Sequence, residues 1–185
     1  MHHELKVLNL ASSFFLFASG LFGPIYAVFV EEIGGGLITA GLAYSIFSIA
    51  AGVLTFLISR WEDHVKQKEK LVVAGYFLAS IGFLGYLLIR NPLDLYIVQI
   101  IFGISTAVRL PAFYGVYSKH LDHGKSTSEW GILESMAWIV TGVSAIVGAF
   151  LANLYGFKTL FLIMFIISLF SFIASLFLTK MIKFK

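Results

Sequence analysis

Two charged side chains lie inside apolar stretches: Arg109 in QIIFGISTAVRLPAF and Glu134 in WGILESMAWIVTGV. Charge in such surroundings is expensive, so these groups pair, line a wet cavity or carry function. Counted at ~1.5 Å per residue from Tyr117 and Glu129, Arg109 sits ~12 Å and Glu134 ~7 Å inside, similar depths at which the two are expected to meet. A carboxyl there can cycle a proton, and the pair can hold a polar solute. Gln99 adds an amide to the same set, and Tyr26, Tyr44 and Tyr114 add hydroxyls. The plainer readings are an arginine that snorkels to the membrane surface, a glutamate that caps a helix start, an amide bonded to a neighbour and tyrosines that anchor at the interface.

Hydrolytic and metal chemistry find less support. His120, Asp122 and His123 cluster in KHLDHGK, but helical zinc pairs prefer a spacing of four and no further ligand run exists, so these read as solvated loop residues. No histidine lies within an apolar stretch to serve a serine as base, and no carboxylate pair sits at a stretch's midpoint. An enzyme is not expected, nor a metal or other cofactor. Cysteine is absent, which excludes disulfides and thiolate ligands.

The elements that position these residues are six apolar stretches, roughly Leu8–Val30, Leu37–Ser59, Leu71–Ile89, Leu95–Tyr117, Gly131–Asn153 and Thr159–Thr179. Each approaches the ~20 residues that a helix needs to cross a bilayer. Of the 185 residues 59% are hydrophobic and 12% charged, against about 25% charged in soluble domains. The period-two alternation of barrel strands is missing, so the expectation is an all-α integral membrane protein in one domain, residues 1–185, with six transmembrane helices.

Lys6, Arg60, Lys66, Lys68, Lys70, Lys119, Lys125, Lys180, Lys183 and Lys185 fall on one side of these helices, and only Arg90 and Lys158 on the other. The first side is cytoplasmic by the positive-inside rule, which puts both termini inside, in a multi-pass protein of the cell membrane. The net charge of +3 is then a topology signal that also suits anionic lipid heads, and not a nucleic-acid surface. The first apolar run has no small-residue cleavage site near its end and is expected to remain as a helix.

AGLAYSIFSIAAGV placed over WGILESMAWIVTGV, ninety positions on, sets Gly41, Ser45, Ile49, Gly52 and Val53 on Gly131, Ser135, Ile139, Gly142 and Val143. Pro24 stands opposite Pro111 in the flanking helices. Two copies follow, about residues 8–90 and 95–180. Three helices per copy makes the second cross the membrane in the opposite sense, a 3+3 inverted repeat of the kind found in many secondary transporters. Pro24 and Pro111 are expected to bend their helices.

On these residues the chain resembles one six-helix half of a major facilitator superfamily transporter over essentially its whole length. SRWEDHVKQKEK resembles the family's loop between helices 2 and 3, with Asp63 in place, Ser59 for the usual Gly and His64 for the usual Arg or Lys. In the fourth helix Gly103 and Pro111 match the family pattern while Gln99 replaces its Arg, often tied to proton coupling. Gly142, Gly148 and Gly156 match the glycine-rich fifth helix and its turn; the Gly-Pro step of antiporters is replaced by Ser144 and Ala145.

The resemblance implies transport of a small solute by alternating access, with Asp63 as a cytoplasmic gating residue that docks on a helix start in the opposite half. Members carry two such halves. This chain is read as a complete half-size protein that pairs with a second copy, with the pathway between copies of helices 1, 2, 4 and 5 and with helices 3 and 6 facing lipid. The alternative is a non-transport scaffold or subunit of a larger membrane complex, which needs no polar cavity.

Overall fold

The computed structural model describes residues 2–182, with side chains through Thr179; Lys183, Lys185 and the side chain of Lys180, all read above as cytoplasmic, lie outside the described residues. The described chain is all-helical. Helix α1 (His3–Gly20) leads through a 3-10 turn (Gly23–Ile25) into α2 (Tyr26–Glu32), followed by α3 (Leu37–Glu62), α4 (Lys68–Tyr86), α5 (Pro92–Lys119) and α6 (Ser126–Ile182).

Four of the described segments are long and apolar enough to cross a membrane: His3–Glu32, Leu37–Glu62, Pro92–Lys119 and Ser126–Thr179. The third expected crossing, α4, falls short because Lys68, Glu69 and Lys70 occupy its first turn. The fifth and sixth are continuous in hydrogen bonding, but 54 residues of straight helix would reach ~80 Å against a hydrocarbon core of ~30 Å.

Gly156 resolves that excess. Its φ of 76° and ψ of 169° lie where a Cβ clashes, a conformation open essentially to glycine alone, and the helix breaks there. The contacts of α1 show the reversal. Along α1, Ser13 meets Met136, Gly20 meets Ser144 and Leu21 meets Gly148, so α1 and the first half of α6 run parallel. Phe14 meets Phe170, Phe22 meets Phe161 and Phe29 meets Phe157, so the second half runs back the other way.

Small residues set how closely these helices approach. A Cβ on Gly148 would lie 2.6 Å from Leu21 Cα, so only glycine admits the α1 backbone here. Lower down, Ser168, Ser171 and Ser175 turn inward at spacings of three and four, and Ser171 Oγ donates to the Ala11 carbonyl at 2.7 Å. Packing of small residues and short polar links takes the role that the hydrophobic effect cannot play in lipid.

The core has two centres. One is aromatic, with Phe22 at its middle, its ring centroid 5.0 Å from Tyr86, 5.1 Å from Phe161 and 5.5 Å from Phe29. The other gathers Leu5, Leu8, Val72, Tyr76, Phe113 and Tyr117 at the opposite end. α3 contributes little, burying only Ala43 and Glu62, and leaves Ile38, Leu42, Ile49, Val53, Phe56 and Leu57 exposed.

Candidate functional site

α1, α4 and α5 each send a stripe of side chains into one cavity of about 310 Å³. α1 gives Phe15 and Ser19, four apart, and the turn that follows it gives Phe22; α4 gives Phe83 and Tyr86; α5 gives Gln99, Phe102 and Thr106. Gly23, Tyr26, Tyr44, Phe47 and Met164 complete the lining. The helical spacing puts the lining members of each of these three helices on one face.

The start of α5 is fixed locally. Asn91 caps it, its Oδ1 accepting from Leu93 N at 2.9 Å and Asp94 N at 3.2 Å, with Pro92 in the first turn. Gly103 lets the helix press on α3, where an added Cβ would sit 2.7 Å from Ala50 Cβ. Gln99, buried at 7% exposure, is thereby held level with Tyr26, and its Nε2 donates to the Tyr26 hydroxyl at 2.9 Å. Aromatic rings make up most of the remaining wall, with the hydroxyls of Ser19 and Thr106 and the phenols of Tyr44 and Tyr86 among them. The cavity can seat a flat apolar body and offers an amide and several hydroxyls for orientation.

Of the residues expected to share a cavity, the structure brings together Tyr26, Gln99 and Tyr44. Arg109 lies beneath that floor: buried, with its Cζ 4.4 Å from the Phe15 ring centroid and 5.0 Å from that of Tyr76. The expected meeting of Arg109 with Glu134 does not occur. Glu134 is exposed on α6, and Arg109 makes no ion pair among the described residues. The reason is azimuth: Leu133 turns into the core and Glu134, one residue and ~100° on, turns out.

Tyr114 is 45% exposed and packs on Phe113 and Trp130, away from the cavity lining. Asp63 is exposed beside Lys68, whose Nζ is 3.5 Å from its Oδ1. Pro24 opens the 3-10 turn that interrupts the first crossing, so the expected bend is a break, whereas α5 continues as one helix through Pro111. His120 and Asp122 tie the loop before α6 to the start of α1: His120 Nε2 is 3.8 Å from Glu4 Oε1, and His2 Nε2 is 3.2 Å from Asp122 Oδ1.

Sequence reasoning missed the aromatic wall of Phe15, Phe22, Phe83, Tyr86 and Phe102. The signal was present as helical spacing, but among 19 phenylalanines no single one stands out.

Both halves of α6 and all of α3 also present an open face. Gly41, Ser45, Ile49, Gly52 and Val53 on α3 are all exposed, as are Gly131, Ser135, Ile139, Gly142 and Val143 on α6. These are the ten positions paired when the α3 sequence is laid over that of α6, and a Cβ added at any of the four glycines would meet nothing within 4 Å.

Comparison with known proteins bears on what such a bundle is. An uncharacterized MFS-type transporter of Methanocaldococcus jannaschii is 27% identical over 140 residues, 75% of this chain and 36% of the relative. The uncharacterized MFS-type transporter YitZ of Bacillus subtilis is 23% identical over 145 residues, 78% of this chain and 88% of the relative. The quinolone resistance protein NorB of Staphylococcus aureus is 28% identical over 163 residues, 85% of this chain and 34% of the relative. The chain thus spans about a third of the archaeal and staphylococcal relatives and most of YitZ. The family model of the Major Facilitator Superfamily matches from residue 8 to residue 183, and this multi-helix membrane chain belongs to that superfamily of transporters, which are not enzymes.

Proposed function

We propose that the chain is a secondary transporter of a small, largely apolar solute, working by alternating access as a homodimer of half-size chains. In this reading α1–α2, α3, α4, α5 and the two halves of α6 are six crossings arranged as a 3+3 inverted repeat. Both termini are cytoplasmic, and the dimer lies in the cell membrane. The observation that carries the reading is the aromatic cavity of about 310 Å³ with the Gln99–Tyr26 pair in its wall. A scaffold has no need of such a space.

The open faces of α3 and the first half of α6 support the pairing. Glycine and serine stripes let helix backbones approach across an interface in lipid, and a second copy about an axis along the membrane normal would cover both. Glu134 lies exposed on this half of α6 and would then face the partner. There it would serve as the coupling or solute-contacting acid, while Asp63 gates the cytoplasmic side. Proton coupling through Glu134 belongs to this reading.

Thermal shift of the purified protein against a panel of aromatic solutes tests the cavity. A ligand at a hundred times its Kd stabilises the folded form by about 2.7 kcal/mol. Gln99→Leu, which removes the amide and leaves the Tyr26 hydroxyl without that partner, should abolish the shift for hydrogen-bonding solutes. An unchanged shift in Gln99→Leu would remove this cavity from the pathway. Cysteines at Ser45 and Ser135 should crosslink between protomers in membranes; crosslinks confined to the second half of α6 would overturn the dimer.

A further inference from the structure

Arg109 is a buried cation that the wall of the cavity does not use. Gln99, Phe102, Thr106 and Arg109 follow one another on α5 at spacings of three, four and three, so the arginine continues the stripe that lines the cavity, one turn below Thr106. The stripes of α1 and α4 converge at the same level. Phe15 covers the guanidinium from one side at 4.4 Å and Tyr76 from another at 5.0 Å, and Phe15 is itself a lining residue. The site is built: Ser105 Oγ donates to the Gly75 carbonyl at 2.8 Å, clamping α4 on α5, and a Cβ on Gly75 would lie 2.9 Å from Arg109 Cα.

A guanidinium keeps its charge in any protein setting. Arg109 is 7% exposed, makes no ion pair among the described residues, and its Nε is buried without a hydrogen-bond partner among them. Ring faces attract a cation but accept none of its N–H bonds. What satisfies both the charge and the buried Nε donor is a planar carboxylate taken in fork geometry.

We propose that Arg109 is the anion-recognition residue of this cavity and that the solute is an aromatic carboxylate. Its apolar body stacks among Phe22, Phe83, Tyr86 and Phe102. Its carboxylate reaches Arg109 when the Phe15 ring turns aside, so Phe15 shields the cation until an anion replaces it. The inference rests on the reading that this cavity takes the solute.

The test compares 2-naphthoate with the neutral 2-naphthamide, by equilibrium binding to the full chain in phosphatidylcholine nanodiscs, with empty discs subtracted. The wild-type protein should bind naphthoate at least tenfold more tightly than naphthamide. Arg109→Gln should lose that tenfold and leave naphthamide affinity unchanged. Phe15→Leu, which removes the shielding ring face, should raise naphthoate affinity severalfold, and it decides the matter if Arg109→Gln does not fold. Equal affinity of the wild type for the two probes, or unaltered naphthoate binding in both variants, would overturn the anion assignment while the cavity reading stands. Binding of neither probe would overturn both.

Discussion

Gly148 and Gly142 lie less than two turns apart on the first half of α6, yet alanine should have opposite effects at the two. At Gly148 the new methyl would run into the Leu21 carbonyl and lie 2.6 Å from Leu21 Cα, against ordinary carbon contacts of ~3.5–4.0 Å, so α1 and α6 must part by well over ~1 Å. The obstacle is backbone, which no rotamer change relieves, and Leu21 adjoins Phe22 at the centre of the aromatic cluster. Overpacking of this kind costs ~1–3 kcal/mol, and the rigidity of the contact argues for the upper end. Replacing helical glycine by alanine returns about 0.5–1 kcal/mol, which leaves Gly148→Ala destabilised by roughly 2 kcal/mol. At Gly142 nothing lies within 4 Å, so only the propensity gain of about 0.5–1 kcal/mol applies. The variants should therefore differ by on the order of 3 kcal/mol in unfolding free energy, measured by helix circular dichroism through a denaturant titration in one detergent. Coincident midpoints would refute the packing argument. Gly142→Leu extends the comparison: it should leave folding intact and weaken self-association, because that face is reserved for a partner in the proposed dimer.

Gly156→Ala places a Cβ at φ 76° and should cost ~1–3 kcal/mol in the same titration, and equal stability would mean that the reversal does not need glycine. In reconstituted vesicles Glu134→Gln should abolish gradient-driven accumulation and spare solute exchange, since the amide keeps the shape but cannot cycle a proton; accumulation at the wild-type level would leave coupling to another residue. Asp63→Asn should raise the labelling rate of cavity cysteines from the cytoplasmic side, because the carboxylate is proposed to dock on the positive start of the partner's α6 near Ser128; an unchanged rate would return Asp63 to a loop acid held by Lys68.

The helical membrane character was legible because apolar length and charge spacing are one-dimensional properties. The small-residue match between α3 and the first half of α6 has a physical basis: the matched positions lie on outward faces of both helices, where backbone approach and not core shape selects Gly and Ser. Residue counting failed where rotation about the helix axis matters. It gave Arg109 and Glu134 similar depths, but depth carries no azimuth, and Gly75 makes room for Arg109 against α4 while Glu134 faces outward from a different helix. Gln99 and Tyr26 were both named from the sequence, yet their 2.9 Å bond depends on the break at Gly23–Ile25, which re-aims Tyr26. Pro24 signalled a disturbance there without fixing its form. The aromatic wall stayed hidden because phenylalanine is as much at home against lipid as against a solute.

The seating of α1 between the two halves of α6 has a consequence for biogenesis. Ala11 accepts its bond from Ser171, 160 residues later, and α1 finds its main packing partner only once α6 has been made. The α6 hairpin, with one glycine as its joint, closes almost without loop entropy, and α4 and α5 likewise meet across a short connection. α1 has no such neighbour and must wait until α6 has been made. A ribosome-arrested nascent chain that ends before Gly156 would carry α1 seated on the first half of α6 alone, with the Ser171–Ala11 bond still unmade, a species open to membrane chaperones and quality-control proteases.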